Sequence, residues 1–333
     1  MCSVPCGDYQ GYIFQADGGE QGDALMPTLF CLALGPALRR IRAQLPIGAE
    51  IIAYLDDICV TCHPEDTAAI HDNVQTVLDE VCHIDVNIGK LAAWTKNINP
   101  CPPGLHDRAP SAWVHDRPAE AQGIRILGAP FGTDTYISTF GTSQAEEKAK
   151  LLNILPELPS LQSAWLLLYF CGAPRLNHLL RTATPAQSST AAVTHDSHVI
   201  DAFRNLFAIP GPTAWNSAVH GISYDTWVQQ AKLPLRLAGL GLRDSQRIAP
   251  AAYWASWADS LQSLVNGFPA VGRDILRHLQ ELAEAHPDDL SDHPACLAAA
   301  EAAGRQCDGA GWRDRPTSVS YTHLRAHETQ SDL

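Results

Sequence analysis

The sequence predicts an α+β chain in which an acidic β-hairpin packs on helices and a mostly helical region follows. Three observations predict it. The run "IIAYLDDICVTC", residues 51–62, sets a β-rich segment on each side of Asp56-Asp57, which reads as two short strands and a tight turn. Apolar residues at helical spacing flank this hairpin before and after. From about Ser143 onward the apolar pattern stays helical.

The elements follow in order. Tyr12–Gln15 gives a short strand signal, and Gly18 and Gly19 a turn. A helix is expected next, with Leu25, Leu29, Leu32, Ala33, Ala37, Leu38, Ile41 and Leu45 as its apolar positions. Pro27 suits its first turn, whereas Pro36 should kink or divide it. Arg39, Arg40 and Arg42 complement the dipole at its end. After the hairpin, Ile70, Val74, Val77, Leu78 and Val81 mark one face of an amphipathic helix. "IDVNIGKLAAW" reads as a strand or strand pair. Residues 99–118 are proline-rich and read as a surface loop. Gly123–Gly132, "GIRILGAPFG", reads as strand then turn.

In the second half, "EEKAKLLNILPEL" and "LQSAWLLLYFCGAPRLNHLLRT" predict packed helices. "ATPAQSSTAAVTHDSH" reads as a polar loop, with His195, Asp196 and His198 in solvent rather than on a metal. Gly239 and Gly241 mark a turn rather than a phosphate loop, and helices continue to about residue 305. Trp165, Trp254 and Trp257 lie on helical patterns and are expected in the core.

Composition narrows the function. Hydrophobic residues make up 46% of the 333 positions, which excludes a disordered chain. No apolar run approaches the length of a membrane span, and "MCSVPCGDYQ" lacks the basic start and apolar block of a signal peptide. The expected location is therefore intracellular, in cytoplasm or nucleus. The net charge of −13 argues against general nucleic-acid binding by the whole surface. Ten cysteines show no paired CxxC motifs. Cys59-x-x-Cys62 stands on a strand, where residues three apart face opposite sides, so reduced thiols are expected.

Two aspartates side by side in a strand-like run need a reason. They make either an acidic turn or a metal clamp, because two-metal phosphoryl transfer requires carboxylates that hold Mg²⁺ ions about 4 Å apart. The surrounding motifs favour the clamp. "YLDD", Tyr54–Asp57, resembles the YxDD signature of reverse transcriptases. "GGEQGDALMPTLF" resembles the block that precedes it in that family, matching at Gly18, Gln21, Gly22, Leu25, Pro27, Leu29 and Phe30. "NIGK", Asn87–Lys90, resembles the later N-x-x-K block, and Leu127-Gly128 the primer-grip turn. "LPLRLAGLGL", Leu233–Leu242, is similar to a segment downstream of the polymerase in non-LTR (LINE-like) retroelements. All five occur in the family's order.

The resemblance implies a partial polymerase palm followed by a thumb- or connection-like helical region. It implies RNA-templated DNA synthesis with Mg²⁺, or Mn²⁺ in its place, on an RNA template and DNA primer with deoxynucleoside triphosphates. No membrane is involved, and the oligomeric state is left open. Asp56 and Asp57 would hold the metal, and Tyr54 would lie near the incoming nucleotide. Gln21 and Gly22 would form the nucleotide and template floor. Lys90 would face the triphosphate and protonate the leaving pyrophosphate. Leu127 and Gly128 would help hold the primer.

One departure counts against activity. The family carries another catalytic aspartate on a strand well upstream of the Q-G block. Here Asp8 and Asp17 are the only aspartates before Gln21, and neither sits in a D-x-x-x-A-F context. The expectation is a retroelement fragment that lacks this strand and is inactive alone. The alternative is a decayed remnant that binds nucleic acid or protein without catalysis. Val319–Thr329, "VSYTHLRAHET", resembles the conceptual translation of a sequencing-library adapter and is set aside as non-native. The expected organisation is a partial palm over 1–140, a helical thumb-like region over 141–250, a C-terminal helical region over 251–318, and the adapter-like tail over 319–333.

Overall fold

The computed structural model describes residues 22–96, 100–267, 272–275, 277 and 281. Among them the chain is mixed α+β and mostly helical, with two small antiparallel hairpins. It divides into two compact units, one up to Arg117 and one from Pro118 onward. The boundary expected at residue 140 thus falls inside unit 2. Gln21, the early strand signal, the helices beyond about residue 281 and the tail lie outside the described residues.

Unit 1 opens with helix α1 (Met26–Gln44), which has proline in its first turn. Pro36 sits inside it and does not divide it. Hairpin β1 (Glu50–Tyr54) and β2 (Asp57–Thr61) follows, then α2 (Thr67–Cys82). Leu34, Ala37 and Ile41 of α1 are buried against Val77 and Leu78 of α2, with Ile51 and Ile58 of the hairpin packed on them. The apolar residues of α1 fall on two faces. At about 100° per residue, Leu25, Leu29 and Leu32 lie opposite Leu34, Ala37 and Ile41, and those three leucines are exposed.

The expected strand over residues 84–94 does not form. Ile88–Lys90 is a 3₁₀ turn, and only Ala93 bridges to Trp113. The proline-rich loop is also more than surface. It holds the short helix α3 (Leu105–Arg108) and a small core of Leu105, Ala109, Ala112 and Trp113. The Arg108 guanidinium forks onto Asp72 of α2 and holds that carboxyl at about 2, well below its usual range.

Unit 2 begins with hairpin β3 (Gly123–Ile126) and β4 (Ala129–Gly132), whose second strand packs on α4 (Asp134–Ile154). Helix α4 starts nine residues before the expected Ser143, because Thr133 caps it by accepting from the Tyr136 amide. Helix α5 (Leu161–Leu167) runs through a π turn and a 3₁₀ turn into α6 (Asn177–Thr182). The expected polar loop is instead α7 (Pro185–Leu206), a central helix of this unit. A capping box between Thr184 and Gln187, with Pro185 at the first position, starts it. Ala191, Ala192, Val199, Ile200 and Phe203 then bury one face. Packing outweighs the weak helix propensity of its serines and threonines. Gly141 lets α4 approach α7 closely, since a Cβ there would meet Leu179 and Ala191 at 3.0 and 3.1 Å.

Helices α8 (Ser217–His220), α9 (Tyr224–Lys232) and α10 (Ser245–Gly267) complete the described part. Between α9 and α10 the chain turns back on itself, as expected for Gly239 and Gly241. Gly241 has φ 67 and donates to the Leu233 carbonyl at 2.8 Å. Trp165 packs edge-on to Phe203 within a cluster of rings. No helix among the described residues is long and apolar enough to cross a membrane.

Candidate functional site

Hairpin β1–β2 builds the site in unit 1. Its register pairs Tyr54 with Asp57, Ile52 with Cys59, and Ala53 with Ile58. Paired residues share a face, so Ile52, Tyr54, Asp57 and Cys59 lie on one side and Ile51 and Ile58 on the helix-packed side. The outer side is open. Ile52 is 61% and Tyr54 62% exposed, and both aspartates are exposed at the tip. Only Leu55 and Asp56 connect the strands. Leu55 takes φ 54, a left-handed conformation that costs a leucine about 1–2 kcal/mol. A strained turn therefore sets the acidic pair where it stands.

The structure thus brings Tyr54, Asp56 and Asp57 together on one tip. Asp57 also acts on its neighbour across one residue. Burial pushes the Cys59 thiol up, and the Asp57 charge pushes it the same way. Cys59 and Cys62 are both free thiols. Gly22 takes φ 100 with open space around its Cα, so only glycine fits its backbone comfortably. Lys90 is exposed at the end of its 3₁₀ turn. Gln21 lies outside the described residues.

Asp56 and Asp57 are the residues that could hold a cation. Their chemistry fits Mg²⁺, which takes one or two carboxylates from a protein and fills its shell with water and substrate phosphates. Among the described residues no third acid, histidine or cysteine joins them in a metal-holding group.

Leu127 and Gly128 form the two-residue turn of β3–β4 in unit 2, with φ 48 and φ 83. Left-handed angles at both positions describe a type I′ turn, which matches strand twist. A Cβ on Gly128 would lie 3.3 Å from His178 Nε2 and 3.9 Å from Arg125 Nη2. These two side chains were not singled out from sequence. Arg125 could have been, two residues before the turn; His178 could not, since only the tertiary fold brings α6 to it.

His195 and Asp196 stand far from the solvated role expected of them. His195 is fully buried, and its Nε2 donates to the Ala173 carbonyl at 3.1 Å. Its Nδ1 has no partner, so a second proton there would go unsatisfied. Burial accordingly holds its pKa down at about 4. Asp196 is 3% exposed and caps α10, accepting from the Ser245 amide at 2.8 Å and the Gln246 amide at 3.4 Å. Lys232 reaches Asp196 at 3.4 Å and Asp244 at 3.2 Å. Burial pushes the Asp196 carboxyl up to about 6 despite Lys232. Burial also presses on Asp244, but its bonds to Asp196 and the Lys232 charge outweigh that and hold it below its usual value.

Compared with known proteins, the chain matches no family model, no curated sequence and no solved structure.

Proposed function

We propose that unit 1 carries the metal-binding hairpin of a retroelement reverse transcriptase, an RNA-directed DNA polymerase of the non-LTR class. The observation that carries the reading is the strained, exposed Tyr54–Asp57 tip on a hairpin whose other face is packed on two helices. The motifs around it supply the family, and unit 2 supplies helices suited to a thumb or connection.

In this reading Asp56 and Asp57 would hold Mg²⁺, or Mn²⁺ in its place. The metal would neutralise charge on the transferring phosphoryl group and favour ionisation of the primer hydroxyl. Tyr54 shares a face with Asp57 and would position the incoming deoxynucleoside triphosphate beside it. Gly22 would let the nucleotide or template approach the backbone, and Lys90 would donate a proton to the leaving pyrophosphate. Leu127 and Gly128 would grip the DNA primer on its RNA template.

Two ions need more carboxylates than one turn supplies, and the described residues offer only the Asp56-Asp57 pair. The chain alone should therefore bind Mg²⁺ weakly and give no primer extension. The test uses three proteins in a primer-extension assay on RNA: this chain, the chain joined to a segment bearing a further catalytic aspartate strand, and that longer protein with Asp56→Asn. Extension is expected from the second alone, with the loss in the third falling mainly on kcat. Undiminished extension by the Asp56→Asn protein would remove Asp56 from the chemistry. No extension by any of the three would favour a decayed remnant that only binds.

A further inference from the structure

Helix α1 carries a seam that the core of unit 1 leaves uncovered. Leu25, Leu29, Leu32, Pro36, Arg39 and Ala43 recur at alternating intervals of four and three residues, and all six are exposed. Leu25 is 67%, Leu29 52% and Leu32 68% exposed. That spacing is the seam of a two-helix coiled coil. The core does not use it, because α2 and the hairpin pack on Leu34, Ala37 and Ile41 of the other face.

The seam is graded along its length. Its leucines lie in the first half, whereas Gly35, Pro36, Arg39 and Ala43 make the second half small and basic. Charge follows the same gradient. Asp23 stands exposed at the start, with one carboxylate oxygen accepting from the Leu25 amide at 2.8 Å. At the far end Arg40 pairs with Glu80 and Arg42 with Glu50, but Arg39 has no ion pair among the described residues. Such a surface complements itself when turned end to end. Antiparallel about Leu32, a second α1 sets Leu29 against Gly35 and Pro36, and Leu25 against the apolar stem of Arg39. The Arg39 guanidinium then comes beside Asp23 of the second copy, and twofold symmetry makes that pair twice. A parallel pairing would oppose Arg39 to Arg39 and Asp23 to Asp23.

We propose that unit 1 pairs with a second copy of this chain through an antiparallel α1–α1 contact centred on Leu32, with Asp23 and Arg39 bridging its two ends. The net charge of −13 sets whole copies against each other. The seam escapes that repulsion, because it brings one acid and one unpaired base from each copy. Three leucines a side fall short of the roughly 1,200 Å² that a stable interface buries, so the association is reversible and depends on concentration. The pairing stands on α1 alone and does not depend on the polymerase reading.

Sedimentation equilibrium of the full chain between about 1 and 200 μM reads the association constant. A monomer–dimer equilibrium is expected. Leu32→Glu sets two carboxylates face to face on the twofold axis and should weaken the dimer by about tenfold or more. Leu166→Glu, an exposed leucine on α5 of unit 2, should leave it unchanged. Asp23→Arg and Arg39→Asp should each weaken it by about fivefold. The two together should restore it, because both end pairs form again with reversed charge. Circular dichroism melts confirm that these exposed substitutions keep the fold, and the charge reversals test the contact without touching Leu32. A monomer at every concentration would overturn the pairing. So would a dimer that Leu32→Glu leaves intact, or an association that grows beyond two copies, since a twofold contact closes on itself. Charge reversals that fail to rescue each other would overturn the antiparallel register.

Discussion

Two pairs of aspartates in this chain are put to opposite uses. Asp56 and Asp57 stand on an exposed turn in unit 1. Asp196 and Asp244 close around Lys232 in unit 2, where Asp196 also caps a helix. The buried pair is consumed by folding: its oxygens face a lysine and backbone amides, and nothing is left for a ligand. The exposed pair stands on a strained turn and faces solvent. That difference separates a structural acid from a candidate catalytic one better than proximity in sequence does.

The largest expected effect tests the contrast directly. Asp196→Ala leaves the Ser245 and Gln246 amides without their acceptor and Lys232 with Asp244 alone, and should destabilise unit 2 by about 3 kcal/mol. Asp56→Ala, on the exposed turn, should change stability by no more than about 0.5 kcal/mol. Urea unfolding of both variants measures this. Equal losses would erase the distinction.

Acid sharpens it. Folding raises the Asp196 pKa to about 6, so the folded protein takes up that proton before the unfolded chain does. The group therefore adds stability as pH falls from about 6 toward 4. His195, held at about 4 in the fold, does the opposite, because the unfolded imidazole protonates first, near 6.5. The two offset each other across this window. Asp196→Asn should leave His195 unopposed and steepen the acid loss by on the order of 2 kcal/mol between pH 6.5 and 4. Asp244, below its usual value, should lose its contribution only in more acid solution. Urea midpoints at a series of pH values measure the slope. A variant with the same slope as the parent would mean that Asp196 titrates normally in the fold.

The two hairpin turns give a smaller effect. Leu127→Asn creates Asn-Gly, the sequence that a type I′ turn prefers, and should stabilise unit 2 by about 1 kcal/mol. The gain should appear as a higher urea midpoint with unchanged slope. No gain would mean that Leu127 earns its strain through contacts in the folded state.

What the sequence made legible follows from the range of the interaction. The β1–β2 hairpin could be read because alternating apolar residues and an acidic turn are local features. Helix α2 could be read because its apolar face is one clean stripe. Helix α7 was misread as a loop: Ser188, Ser189, Thr190 and Thr194 mask it, although Thr184-Pro185-x-Gln187 and the spacing of Ala191, Ala192, Val199, Ile200 and Phe203 were the signal. Helix α1 carries two opposed apolar stripes, and composition does not say which of them finds a partner. The strain at Leu55 has no local signature at all, since leucine is not a turn residue. Asp196 with Lys232 and Asp244, and Arg125 with His178, are tertiary meetings that spacing cannot reveal.

The smallest expected effect is the most direct probe of the exposed pair. Asp57→Asn removes a charge next to another aspartate and should change stability by less than about 0.5 kcal/mol. It should still be visible at Cys59, which shares the outer face of the hairpin. Burial is the larger cause of the raised thiol pKa and the Asp57 charge the lesser. The substitution should therefore lower the Cys59 pKa without bringing it to its ordinary value. The pH profile of Cys59 alkylation, followed by peptide mass mapping, reads this shift. The same thiol then reports on metal. A Mg²⁺ ion seated at Asp57 would offset that carboxylate's charge, so saturating Mg²⁺ should lower the Cys59 pKa in the parent protein and leave the Asp57→Asn protein unmoved. Chloride salt of equal ionic strength controls for screening. If Mg²⁺ moves both proteins alike, the ion does not sit on this hairpin, and the exposed pair loses the role that distinguishes it from the buried one.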